Sequence, residues 1–341
     1  MSVAVVIPCF DNPTLAVDAI GSARAAVASL AGRVVVVDDG STHPEMPTLL
    51  ADLDGCADVV VIRRPSNGGH LRAVADGVAW VDPAEFPVVC FLDADDRHFV
   101  DWPARAAAEF AADDDVVLVG GRPRVIDADG RPIAGRTGRL AKLPSIQRRL
   151  ASGDVVPLLE RRNWYEVPTT SGLALRTRVL HELCAHLPDE RGWFDTWVAA
   201  AAPYLGTVRG LDAVAFDYRL HGDNVLGETG DLELVNSSRH RRAAWANEWA
   251  ERTGRPGRVD GDRDPRVVLD RFAGGERVAV RDRGAAVLDS FVEARLHPPA
   301  AGAALVVERL LRASSRSLGR RIAAVGLGRA IVELTRSATT R

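Results

Sequence analysis

The sequence predicts an α/β fold: a mostly parallel sheet with helices on both faces, followed by a helical C-terminal extension. Three observations predict it. Short β-branched runs recur through the first 120 residues, at Val3–Ile7, Val34–Val37, Val59–Ile62, Val88–Leu92 and Val116–Val119. Segments of helical period separate them, at Thr14–Leu30, Glu45–Leu53, Leu71–Val81 and Trp102–Phe110. The strand runs are continuously apolar, as strands buried on both faces are.

In such a sheet the crossovers are right-handed, and ligands bind outside the carboxyl ends of the strands. The first strand ends in Pro8-Cys9-Phe10-Asp11-Asn12 and the second in Asp38-Asp39-Gly40-Ser41-Thr42. The third ends in Arg63-Arg64-Pro65-Ser66-Asn67-Gly68-Gly69 and the fourth in Asp93-Ala94-Asp95-Asp96. Four polar strand ends thus converge on one rim. Two acids one residue apart at the end of a buried strand suit a hard divalent metal. The competing reading of Asp93–Asp96 is a solvated, capping turn before the helix at Trp102-Pro103.

Beyond the fifth strand the periodicity weakens. Asp127-Ala128-Asp129-Gly130 reads as a hairpin turn. The stretch from Arg122 to Arg162 is basic on balance, and is either a flap over the rim or a solvated insertion. Pro168-Thr169-Thr170-Ser171-Gly172 precedes an apolar segment, Leu173–Leu175, and a helix near Thr177–Ala185. Trp193-Phe194-Asp195-Thr196-Trp197 opens another helix. Two short strands are expected at Thr207–Arg209 and Ala213–Arg219. The region closes on Tyr218-Arg219-Leu220-His221-Gly222-Asp223-Asn224.

The character changes near Leu226, which sets two parts, 1–225 and 226–341. A polar helix over Asn236–Thr253 carries Trp245 and Trp249 four apart. Residues 254–266 read as loop, and Val267–Arg295 as helix with breaks. Ala303–Thr340 is apolar and basic, with Leu305, Val306, Leu310 and Leu311 on one face. That stripe is expected to pack on its own domain or a second subunit, making a homodimer, or to lie on a membrane surface.

The chain has 341 residues, 47% of them hydrophobic, enough for a sizeable core. A net charge of -3 excludes a generally basic nucleic-acid binder. Four scattered cysteines form no CxxC pair and read as free thiols of a reducing, cytoplasmic compartment. No apolar run approaches the roughly 20 residues of a membrane span.

Taken in order, Val5-Val6-Ile7-Pro8-Cys9-Phe10, Val37-Asp38-Asp39-Gly40-Ser41-Thr42, Asn67-Gly68-Gly69 and Phe91-Leu92-Asp93-Ala94-Asp95-Asp96 resemble the family 2 glycosyltransferases. The resemblance covers roughly residues 1–225. It implies a GT-A fold and metal-dependent, inverting transfer of a sugar from a UDP- or dTDP-sugar to an acceptor hydroxyl. It also implies a site. Pro8, Phe10, Asp38, Asp39, Asn67, Gly68, Arg72, Asp93 and Ala94 would hold the donor nucleotide. An Asp39 carboxylate can accept the imide N–H of uracil or thymine. Asp93 and Asp95 form a DXD motif, with Asp95 the direct ligand of Mn2+ or Mg2+ and Asp93 on ribose or a metal water. His221, in a YRxH ending, would be a further ligand, while Asp96 is structural or caps the next segment. Asp76 stands where the family often has Asn. Thr170, Ser171, Gly172, Trp193 and Trp197 would face sugar and acceptor.

Inverting transfer needs a base for the acceptor hydroxyl. The family's acid at the start of a helix matches Asp195, with Phe194 replacing the first acid of the usual pair; Asp189 and Glu190 are rivals. Apolar neighbours would raise the Asp195 pKa, as a general base requires. Two alternatives remain: a retaining transferase of the same fold, and an inactive sugar-nucleotide-binding scaffold.

Overall fold

The protein was analysed as a computed structural model, which describes residues 1–133, 150–189, 192–221, 232–255, 257–294 and 299–314. The chain divides into two compact units. The first spans 1–134, 150–155 and 167–222; the second spans 135–149, 156–166 and 223–341.

The first unit is built on an eight-stranded mixed sheet. Strands β1 (Val3–Cys9), β2 (Arg33–Asp38), β3 (Val59–Arg63) and β4 (Val88–Phe91) are the four predicted apolar runs. They pair in parallel in the order β3-β2-β1-β4. Every residue of β1 is buried, which explains why its pattern is continuous and not alternating. β2 and β4 flank β1 on opposite sides, so the strand order reverses there. Ligand crevices open at such a switch point.

The helices between these strands are α1 (Pro13–Val27), α2 (Met46–Asp54) and α3 (His70–Trp80), with α4 (Trp102–Ala112) after β4. Asn12 caps α1 by accepting the Leu15 N–H, and Pro13 supplies its first turn. α1 packs with α2 and α4, whereas α3 packs with α6 (Thr177–Cys184) and α7 (Phe194–Ala201).

The other half of the sheet departs from the parallel pattern. The two-residue β5 (Arg97–His98) runs antiparallel to β8, and β7 (Leu173–Arg176) is antiparallel to both β4 and β6. β6 (Val116–Ile126) extends seven residues past its expected end, Val119. The two short strands expected near residue 210 are one strand, β8 (Thr207–Arg219). A bulge interrupts it, because Gly120 pairs with Gly210 but Arg122 with Val214. The Asp127–Gly130 turn forms as expected, with Gly130 at φ 82 and its N–H on the Asp127 carbonyl.

The expectation of one flap over 122–162 is corrected. Arg122–Ile126 belong to β6, held by the Arg124–Asp217 ion pair at 2.6 Å, and Val156–Arg162 form helix α5 of the second unit. The core of that stretch lies outside the described residues.

In the second unit, α8 (Leu232–Arg252) buries Trp245 and Trp249. α9 (Pro265–Gly274), α10 (Val280–Ala294) and α11 (Pro299–Ser314) pack together around Val268, Leu269 and Ala286. On α11, burial is split between apolar and charged positions. Leu310 is 47% exposed while Arg309 and Arg312 are buried, because Arg312 pairs with buried Asp270. The remainder of the basic tail, from 315 onward, lies outside the described residues. Among the described residues no helix is long and apolar enough to cross a membrane.

Gly77 decides how closely α3 can approach the sheet. A Cβ there would lie 2.6 Å from a Val6 methyl and 3.0 Å from one of Val37. Alanine favours a helix over glycine by about 1 kcal/mol, but overpacking a core costs about 1–3 kcal/mol. Gly77→Ala should therefore lower stability in urea denaturation; a gain would show that α3 can shift outward freely.

Candidate active site

The acidic strand end is tied down at one member and open at the others. Asp96 is 1% exposed; its Oδ2 accepts the Ser171 hydroxyl at 2.6 Å and its Oδ1 accepts the Arg219 N–H at 3.0 Å. Ser171 in turn accepts the Asp93 N–H at 3.0 Å. The Arg219 side chain donates to the Asp95 and Ala128 carbonyls at 2.8 and 3.0 Å and pairs with Asp18 at 2.5 Å. Asp96 thus holds the loop instead of capping a helix; the residue before α4 is Asp101. The loop's shape leaves Asp93, Ala94 and Asp95 half-buried at the rim.

The outer acids each meet a histidine. Asp95 Oδ2 lies 2.8 Å from His221 Nε2, across a separation of 126 residues. Asp93 Oδ1 lies 2.9 Å from His70 Nε2. Among the described residues no three His, Cys, Asp or Glu are grouped to hold a metal. Asp95 and His221 could together supply two ligands to a cation. That fits a small oxygen-loving cation whose shell is completed by phosphates and water, and not a closed structural site.

The second and third strand ends form one turn. Asp38 accepts the Ser41 N–H at 3.1 Å. Asp39 accepts the Gly68 N–H at 2.9 Å, the Gly69 N–H at 2.8 Å and the Arg64 guanidinium. An ionised carboxylate offers about four lone-pair sites, so one remains for a base N–H. Gly40 is at φ 70, and a Cβ there would collide with the Ser66–Asn67 backbone at 2.6–2.8 Å. Asn67 and Gly68 are half-buried, Pro8 is buried, and Phe10 is 45% exposed beside this turn's neighbouring strand. Arg72 is turned elsewhere, donating to the Pro188 carbonyl at 2.9 Å. Arg64, not singled out by the sequence reading, is the cation at this turn, and Asp76 is its second partner at 2.7 Å.

The expected acceptor residues separate into buried and open ones. Trp197 is 1% exposed and packs on Phe194, so it is core, not lining. Ser171 is fully buried in the Asp96 network, and a Cβ on Gly172 would meet the Gly121 carbonyl at 2.6 Å. Both support the rim from below, and Thr170 is buried beside them. Trp193 is 47% exposed, its ring 5.6 Å from that of His70. Asp195 lies in the first turn of α7, half-buried, bonded to the Thr196 N–H at 2.6 Å. Asp189 is fully exposed, and Glu190 lies outside the described residues.

Residues 4–164 match Glycosyl transferase family 2. Over that stretch the chain is similar to the family 2 glycosyltransferases. Its fold is similar to crystal structures of S. aureus TarS. TarS 1-349 in complex with UDP-GlcNAc aligns with a TM-score of 0.53 at 14% identity, covering 95% of this chain and 90% of that one. TarS 1-349 in complex with UDP gives 0.50 at 15%, with the same coverage. Another TarS structure gives 0.53 at 13%, and there the present chain spans 55% of the TarS length. No curated protein matches the chain.

Burial sets the electrostatics of the candidate site. It pushes the Asp96 carboxyl well up, reinforced by the charges of Asp95 and Asp93. Burial also raises Asp195; nearby His70 opposes this, while Asp93 adds to it. For His70, burial disfavours the charged ring, but the Asp93 hydrogen bond and the surrounding carboxylates outweigh it, and its pKa is raised. His98, beneath the site, is pushed down to about 4 by burial, and its neutral ring donates the Nε2–H to the Phe91 and Ser171 carbonyls at 3.0 and 3.1 Å. A carboxyl with a raised folded pKa stabilises the fold below its unfolded value, and that contribution is lost as pH rises through the folded value. Asp96→Asn keeps partners for Ser171 and Arg219 and removes this ionisation penalty, so its stability at neutral pH should match or exceed wild type. Asp96→Ala strands both groups and should cost about 2–4 kcal/mol in urea denaturation. Equal stability of the two variants would contradict the bonding assigned to Asp96.

Proposed function

We propose that the protein is a metal-dependent, inverting glycosyltransferase that moves a sugar from a UDP- or dTDP-sugar to an acceptor hydroxyl in a single displacement. The observation that carries this reading is the meeting of Asp95 and His221 at 2.8 Å. A carboxylate from one strand end and an imidazole from the end of β8 converge where a donor diphosphate would lie at the switch point. The complexes of TarS with UDP-GlcNAc and UDP favour uridine as the base.

Asp38 and Asp39 take the base and ribose in this reading, with Phe10 beside them and the Asn67–Gly69 turn shaping the pocket. Asp95 and His221 would hold Mg2+ or Mn2+, which when bound would supply positive charge to the departing diphosphate. Asp93 orients the ribose side of the donor. Asp195 accepts the proton of the acceptor hydroxyl as its oxygen attacks the anomeric carbon and the bond to the diphosphate breaks. Its raised pKa suits that role, and its exposure is less than that of Asp189. Trp193 offers an apolar ring to a sugar face. Residues 1–225 are assigned to catalysis and 226–341 to packing or self-association.

Three outcomes test the reading. UDP should raise the melting temperature more with Mn2+ than with chelator, and dTDP or GDP less so or not at all. Equal shifts with and without chelator would remove the metal role. Asp195→Asn should reduce transfer at least about 100-fold while keeping the UDP–Mn2+ shift. Transfer that survives would move the base to Asp189 or Glu190. In wild type the rate should rise with pH through a value above the ordinary aspartate range, because only the ionised Asp195 accepts a proton.

A further inference from the structure

His70 is a rim histidine that the catalytic reading leaves without a task. It is the first residue of α3, directly after Gly69, whose φ of 90 turns the chain into the helix. Its imidazole reaches in two directions. Nε2 lies 2.9 Å from Asp93 Oδ1, and Nδ1 lies 3.3 Å from the Phe194 backbone nitrogen. Phe194 is the first residue of α7, so its N–H has no partner within that helix. In the neutral ring, Nδ1 accepts that N–H and Nε2 donates its own N–H to Asp93.

We infer that His70 is a positioning residue that clamps the first turn of α7, with Trp193 and Asp195, to the Asp93 strand end. The clamp joins the acceptor side of the site to the donor side. Both ends of the link rest on rigid supports. Asp93 follows β4 and is fixed through the Ser171 hydroxyl, while Phe194 is fully buried, with its ring 4.4 Å from that of Phe91. The Trp193 ring lies 5.6 Å from the His70 ring and limits its rotation. A shift of about 1 Å between acceptor and donor groups can cost about 100-fold in rate. The effect should therefore appear in kcat and not in nucleotide affinity. The inference rests on Asp195 acting as the base.

The two halves of the clamp can be removed separately. Gln at position 70 can still donate to Asp93 but loses the ring nitrogen at the δ position; Asn can still accept the Phe194 N–H but falls short of Asp93. In full-length protein with UDP-GlcNAc as donor probe, H70Q and H70N should each lower kcat by roughly 10- to 100-fold. The KM for UDP-GlcNAc and the calorimetric affinity for UDP should stay within about twofold of wild type. H70F, which lacks both halves, should be at least as slow. Amide exchange by NMR reads the clamp independently of turnover: protection of the Phe194 N–H should fall in H70Q and H70F and persist in H70N. Wild-type kcat in both half-variants, or Phe194 protection equal in all of them, would overturn the inference. Asp195→Asn run alongside separates the two ideas. Full transfer by that variant sinks the base assignment, whereas the Phe194 protection pattern decides the clamp.

Discussion

The site depends on one buried carboxylate. Asp96 has no access to solvent to speak of, yet three chain segments meet on it: the end of β4, the turn carrying Ser171, and the last residue of β8, Arg219. A buried carboxyl without such partners would cost several kcal/mol. With them it becomes a fixed point. Arg219 is two residues before His221, and Asp96 is one residue after Asp95. The knot therefore sets the distance between the two proposed metal ligands without either having to be rigid itself.

The same division of labour recurs around the rim. Asp39 spans the Gly68 and Gly69 amides and Arg64, so the turn is held by the residue expected to read the base. Ser171 carries the Asp93 amide from below, and His70 carries Asp93 and the start of α7 from the side. Buried Asp39, Asp96 and Ser171 have hydrogen-bond partners, and the half-buried carboxylates of Asp93 and Asp95 are left at the rim, where the proposed donor would approach. Burial raises the Asp96 pKa, and the neighbouring charges of Asp95 and Asp93 add to it; that added part would ease when a cation is present.

Much of this was legible in the sequence. The apolar runs gave β1 to β4 nearly to the residue, because parallel strands buried on both faces leave an uninterrupted pattern. The polar strand ends, with Asp93 and Asp95 among them, followed from position alone. Pairings made across long separations were less visible. Nothing local to His70 or Arg64 marks them, since each gains its partners only when α3 and β3 are packed; position directly beside the Asn-Gly-Gly turn was the available signal. Trp197 and Trp193 look alike in sequence, and only the packing of Phe194 on Phe91 turns one inward and leaves the other exposed. The helical period of α11 suggested an apolar contact face, but burial is shared with Arg309, Arg312 and Asp270. A buried ion pair is a tertiary event that a hydrophobic stripe does not announce.

A crystal structure with UDP and Mn2+ bound tests the account most directly. It predicts the cation within about 2.0–2.3 Å of an Asp95 oxygen and His221 Nε2, in contact with the diphosphate. The direct Asp95–His221 hydrogen bond would be gone, while Asp96 would keep Ser171 and Arg219. A cation bound away from both residues, or nucleotide bound with the Asp95–His221 hydrogen bond intact, would contradict it.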